Sequence, residues 1–89
     1  MTYVEEIQNQ RKEIDRIDGE IIKKIVKRVK LAKEIGKIKK RYKKPILDKS
    51  REEAVLVKVK SLAREGEIDP ERTMRIFREI IGLCKEVED

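Results

Sequence analysis

Three cations stand where a helix should be apolar. With residues 3–41 read at helical spacing from Val4, the inward positions are Val4, Ile7, Arg11, Ile14, Asp18, Ile21, Ile25, Arg28, Ala32, Ile35 and Lys39. Ile17, Leu31 and Ile38 widen the same stripe. Arg11, Arg28 and Lys39 therefore fall among isoleucines, and Asp18 can answer only one of them. Burying an unpaired charge costs several kcal/mol. Taken singly, each cation has an ordinary account: Arg11 and Lys39 reach water from near the helix ends, and Arg28 pairs with an acid on another helix. Taken together, they are better explained by a wet, cationic cavity in a helical core. Its ligand would be a small anion carrying more than one negative group.

Further polar groups belong to the same set. Asp48, Arg51 and Glu52 cluster at the start of a second helix, where capping and first-turn charge already account for Asp48. On a third helix, Phe77, Ile81, Cys84 and Glu88 follow helical spacing, which puts Glu88 on an otherwise apolar stripe. A frayed terminus is the competing account of Glu88. The chain has one cysteine and no histidine. Disulfides and the usual zinc-ligand spacings are thereby excluded, and no metal site is expected.

Three helices must position these residues. The first opens with Thr2 and Glu5 in capping-box spacing and meets no proline before Pro45, so it is expected over Tyr3–Arg41. Gly19 and Gly36 lie inside it and weaken it a little. Residues 42–47 read as a loop. The second helix is capped by Asp48, or by Ser50 with Glu53, and ends near Gly66. The third opens with Asp69 as N-cap and Pro70 at its first position. At 1.5 Å per residue the first helix would be roughly 60 Å long, whereas a compact domain of this size has a radius of gyration of about 12 Å. Two short helices cannot cover such a rod, so a second chain is expected to do so.

The 89 residues make one domain, 1–89, too small to bury a large core unaided. Nothing resembles a signal peptide or a membrane span, and a soluble, cytoplasmic protein is the default expectation. Charged residues form 47% of the chain and the formal net charge is +6, which points to an anionic partner. The abundance of Lys, Arg and Glu also fits a thermophile. On composition alone, nucleic acid or no specific partner outweighs a small anionic substrate. The densest basic stretch, residues 27–44, holds ten Lys or Arg and one Glu.

Over nearly its whole length the chain resembles the all-helical class of chorismate mutases. The stretches that carry the resemblance are RKEIDRIDGEII, KRVKLAKEIGKIK and PILDKSREE, the last similar to the P-(V/I)-x-D-x-x-R-E loop-to-helix motif of that family. Each is modest alone; the order and spacing of Arg11, Arg28, Lys39, Asp48, Arg51 and Glu52 make the match specific. The resemblance implies an all-α fold of three helices per chain, two such chains intertwined in a homodimer with shared active sites, and the rearrangement of chorismate to prephenate without metal or cofactor. It implies that Arg28, and Arg11 from the partner chain, grip carboxylates. Lys39 would hold a carboxylate and donate to the ether oxygen, Glu52 with Asp48 would meet the ring hydroxyl, and Arg51 would complete the polar wall. Two positions depart from the commonest pattern. Cys84 stands where a small polar residue contacts a carboxylate, with only a weak S–H to offer. Glu88 stands where a Gln or Glu donates to the ether oxygen, and Glu donates only when protonated.

Three alternatives stay open on the sequence. An isochorismate pyruvate-lyase shares the fold and much of the cationic site. A nucleic-acid-binding module would use residues 27–44, yet it leaves cations on the apolar stripe unexplained and has almost no aromatic residues for stacking. A plain coiled-coil dimerisation domain would make Arg11, Arg28 and Lys39 register devices.

Overall fold

The computed structural model describes residues 2–89. Among them are three helices and no strand: α1 (Tyr3–Arg41), α2 (Lys49–Glu65) and α3 (Pro70–Glu88). Each begins on the side chain that the sequence offers. Thr2 Oγ1 accepts from the Glu5 amide at 3.2 Å and also lies 3.2 Å from the Glu5 carboxylate. The Asp48 carboxylate accepts from the Arg51 amide at 3.0 Å, so Asp48 and not Ser50 is the cap of α2. Asp69 accepts from the amides of Glu71 and Arg72 at 3.0 and 3.2 Å, with Pro70 following it. Each cap satisfies a backbone donor that has no partner inside its helix.

The two helix ends that precede a connection are closed in the same way. Beyond α1, the Lys44 amide donates to the Lys39 carbonyl at 2.8 Å and the Lys43 amide to the Lys40 carbonyl at 3.1 Å. Beyond α2, the Ile68 amide donates to the Ala63 carbonyl at 3.0 Å and the Glu67 amide to the Arg64 carbonyl at 3.1 Å. This paired pattern is a Schellman motif, and it needs a left-handed residue. Lys43 (φ 55°) and Glu67 (φ 58°) take that conformation. Gly66, which marks the end of α2 in the sequence, sits one residue earlier with an ordinary negative φ.

α3 is the middle element. It packs on α1 and on α2, while α1 and α2 make no comparable contact with each other. The seam uses small residues: Ala32 and Gly36 of α1, Val59 and Ala63 of α2, and Cys84 of α3 are buried, and among the described residues no large side chain is fully buried. Only the C-terminal half of α1 takes part. Before Ile25, Ile7 alone among the described residues is even half-buried. Val4, Ile14, Ile17, Ile21 and Ile22 stay exposed on the projecting half. The molecule is accordingly a rod, 61 × 24 × 15 Å with a radius of gyration of 17.2 Å.

The left-handed Glu67 gives a direct test of these helix ends. A residue with a Cβ in that region costs on the order of 1 kcal/mol that glycine does not. Glu67→Gly should raise stability by about that amount, read from the urea midpoint at unchanged m-value. An unchanged or lowered midpoint would refute the αL assignment.

Candidate functional site

The C-terminal half of α1, the connection after it, the first turns of α2 and the last turns of α3 enclose a cavity of about 350 Å³. Its size is at the lower end of the range for small-molecule sites. Arg28, Lys39, Asp48, Arg51, Glu52, Cys84 and Glu88 all line it. Residues scattered over the chain are therefore brought together as expected, with Ile35, Val55 and Ile81 supplying apolar wall. Arg11 is the exception. It is exposed on the projecting half of α1, about 25 Å along the helix axis from Arg28, and this chain does not bring it to the cavity.

Lys39 is the most constrained cation. Its Nζ donates to the Ile46 carbonyl at 2.6 Å and lies 2.6 Å from Glu88 Oε1. The pair is largely shielded, at 20% exposure for the lysine side chain and 13% for the glutamate. An ammonium has three protons to donate, so one remains for a ligand. Glu88 is not frayed: α3 stays helical to that residue, and Lys40 Nζ holds the next carbonyl, that of Asp89, at 3.0 Å.

Arg28 contradicts the simple expectation of an acid on another helix. Its Nη1 donates to Cys84 Sγ at 2.9 Å, and no acid among the described residues lies within ion-pair distance. Sulfur is a weak acceptor, and a guanidinium offers five N–H donors. Cys84, 4% exposed, therefore fixes one arm of Arg28 without neutralising it. The cysteine departs from the small polar residue of the resembling family, and here it acts as the acceptor.

Glu52 is not left to itself. Its Oε1 lies 2.8 Å from Nζ of Lys85, a cavity residue that the sequence reading passes over. A signal for it was present, since Lys85 follows Ile81 by four residues and shares its side of α3. Asp48 commits one oxygen to the cap of α2, while Arg51 lies at the cavity edge with an exposed side chain. Two of the three acids are thus tied to lysines, and Arg28 and Arg51 keep their charge unanswered. The arrangement suits a small anion that also carries a hydroxyl: cations with donors to spare and carboxylate acceptors line one space.

Comparison with known proteins points the same way. Residues 10–89 match the model of the family described as chorismate mutase type II. The chain is 42% identical over 88 residues to the bifunctional chorismate mutase/prephenate dehydratase of Aquifex aeolicus, across 96% of this chain and 24% of that protein. It is 35% identical over 85 residues to the chorismate mutase of Methanocaldococcus jannaschii, across 96% of this chain and 86% of the other. The chain thus spans about a quarter of the length of the bifunctional relative and most of the length of the second. A solved structure, a conserved hypothetical protein from Pyrococcus furiosus, is similar with a TM-score of 0.75 and 36% identity over 100% of both chains.

Proposed function

The chain belongs to the chorismate mutase type II family, and from that membership we propose that it rearranges chorismate to prephenate on the way to the aromatic amino acids. The observation that carries the reading is the cavity itself: among the described residues Arg28 meets no acid, Lys39 has a proton to spare, and Glu52 and Asp48 line the same space as acceptors. We read residues 1–89 as one catalytic domain, at work in the cytoplasm.

The reaction is intramolecular. One C–O bond breaks, one C–C bond forms, and no group leaves the molecule. It asks for neither nucleophile nor metal nor cofactor, only for a folded conformer and for donors at the ether oxygen as negative charge grows there. Fixing the conformer supplies orientation. Donors that match the developing charge favour the transition state over the substrate.

Arg28 takes a substrate carboxylate, its free arm aimed by the bond to Cys84. Lys39 holds a carboxylate and gives its remaining proton to the ether oxygen. Glu52, steadied by Lys85 and with Asp48 nearby, accepts from the ring hydroxyl. Arg51 closes the polar wall. Glu88 donates to the ether oxygen when protonated. Arg11 completes the site from a second copy of the chain, in a homodimer whose two sites are shared. The exposed isoleucines of the projecting half of α1 support that assembly, because they supply an apolar face with nothing of their own chain on it.

Three outcomes test these roles. Arg28→Ala should lower kcat/KM with chorismate by about a hundredfold or more and leave the circular dichroism spectrum and oligomeric state unchanged. Near-normal turnover would make Arg28 structural. For the shared sites, inactive Arg11→Ala and Arg28→Ala chains are mixed under conditions of subunit exchange. One site of each mixed dimer then lacks both arginines and the other is intact, so activity returns. Proven heterodimers without activity would show sites built within one chain. Finally, Glu88→Gln replaces a carboxyl with an amide that always has an N–H to donate, so its turnover of chorismate should exceed that of the wild type; an unchanged rate would remove Glu88 from the chemistry.

A further inference from the structure

Gly36 is buried in the C-terminal half of α1, and its helical neighbours do not explain it. Glycine costs a helix interior about 1 kcal/mol relative to alanine, and no glycine here has a positive φ, so the backbone does not demand one. Space does. A Cβ built on Gly36 would stand 2.5 Å from the Glu88 carbonyl oxygen, 2.7 Å from its Cα and 3.0 Å from its carbonyl carbon. All three are backbone atoms, which cannot swing aside as a side-chain tip can. At Gly19, by contrast, a Cβ would meet nothing of this chain within 4 Å.

The contact lies beside the ion pair of the cavity. Lys39, three residues past Gly36, reaches Glu88 Oε1 at 2.6 Å, and Lys40 reaches the Asp89 carbonyl at 3.0 Å. The last turn of α3 is thus seated on α1 by a backbone contact at Gly36 and held by two lysines of the following turn. We propose that Gly36 is a positioning residue: its missing side chain lets the Glu88 backbone close on α1 and so sets the Glu88 carboxyl in the cavity against Lys39. A methyl at position 36 lifts the end of α3 off α1 and carries Glu88 away from the reacting atoms. The inference rests on the chorismate mutase reading for its catalytic consequence, while the contact itself does not depend on it.

The test has two arms. In the wild-type protein, nuclear Overhauser spectra should show a strong cross-peak between the Gly36 and Glu88 α-protons; its absence would overturn the proposal whether or not the protein turns over chorismate. In the kinetic arm, Gly36→Ala should lower kcat by about tenfold to a hundredfold, the scale of a small misplacement near the chemistry. KM should change by less than about threefold, since the ether-oxygen contact is made in the transition state. In a Glu88→Ala background the same substitution should cost little more, because no carboxyl is left to misplace. Equal losses in both backgrounds would mean that Gly36 serves packing alone and would overturn the positioning role. No turnover by the wild type would overturn the functional reading instead and leave the proton contact to decide the placement of Glu88.

Discussion

A guanidinium held half-buried without a counter-charge is the fact to which the rest of the cavity answers. Removing a cation from water is costly, and a chain tolerates it where something repays the loss. At Arg28 the protein supplies a sulfur atom, which directs the group and leaves its charge standing. Every other cation in the cavity except Arg51 has an acid beside it. The cations thus differ in kind: the lysines are held in ion pairs with Glu88 and Glu52, and the arginines have no acid beside them among the described residues. A dianion entering such a space meets groups already aimed, and little reorganisation remains to be done when charge moves within it.

Much of this was legible in the sequence because it rests on local rules. Helix limits followed from Thr2, Asp48, Asp69 and the prolines, and the observed α1 has the expected bounds. The cavity followed from charges on an apolar stripe. What stayed hidden depends on how two helices meet. The acceptor for Arg28 is the cysteine one helix away, which no periodicity selects over an acid. Lys85 was on the correct face of α3 but reads as a surface lysine until Glu52 is placed opposite it. Gly36 looks like a flaw in α1 when only α1 is considered; the approach of α3 turns it into a requirement. The end of α2 shows the limit from the other side, since Gly66 marks the region while Glu67 takes the left-handed turn.

The division of α1 into a packed half and a projecting half separates two tasks. The C-terminal half carries Arg28 and Lys39 and is fixed by α3. The projecting half carries Arg11 and an exposed apolar face. The arginine and the isoleucines share one stripe, so whatever covers the apolar face also receives the cation.

Among the described residues no large side chain is fully buried, and this has a thermodynamic consequence. Burial of apolar area is the main term favouring the folded state, and a single chain whose core is made of alanines, one valine and a cysteine gains little of it. In the homodimer proposed above, the faces left open would supply most of the favourable burial. Folding and assembly of that dimer would be one equilibrium, and stability would be a function of how much protein is present. Dilution would act on this molecule as heat does on a larger one, by drawing the equilibrium toward open chains.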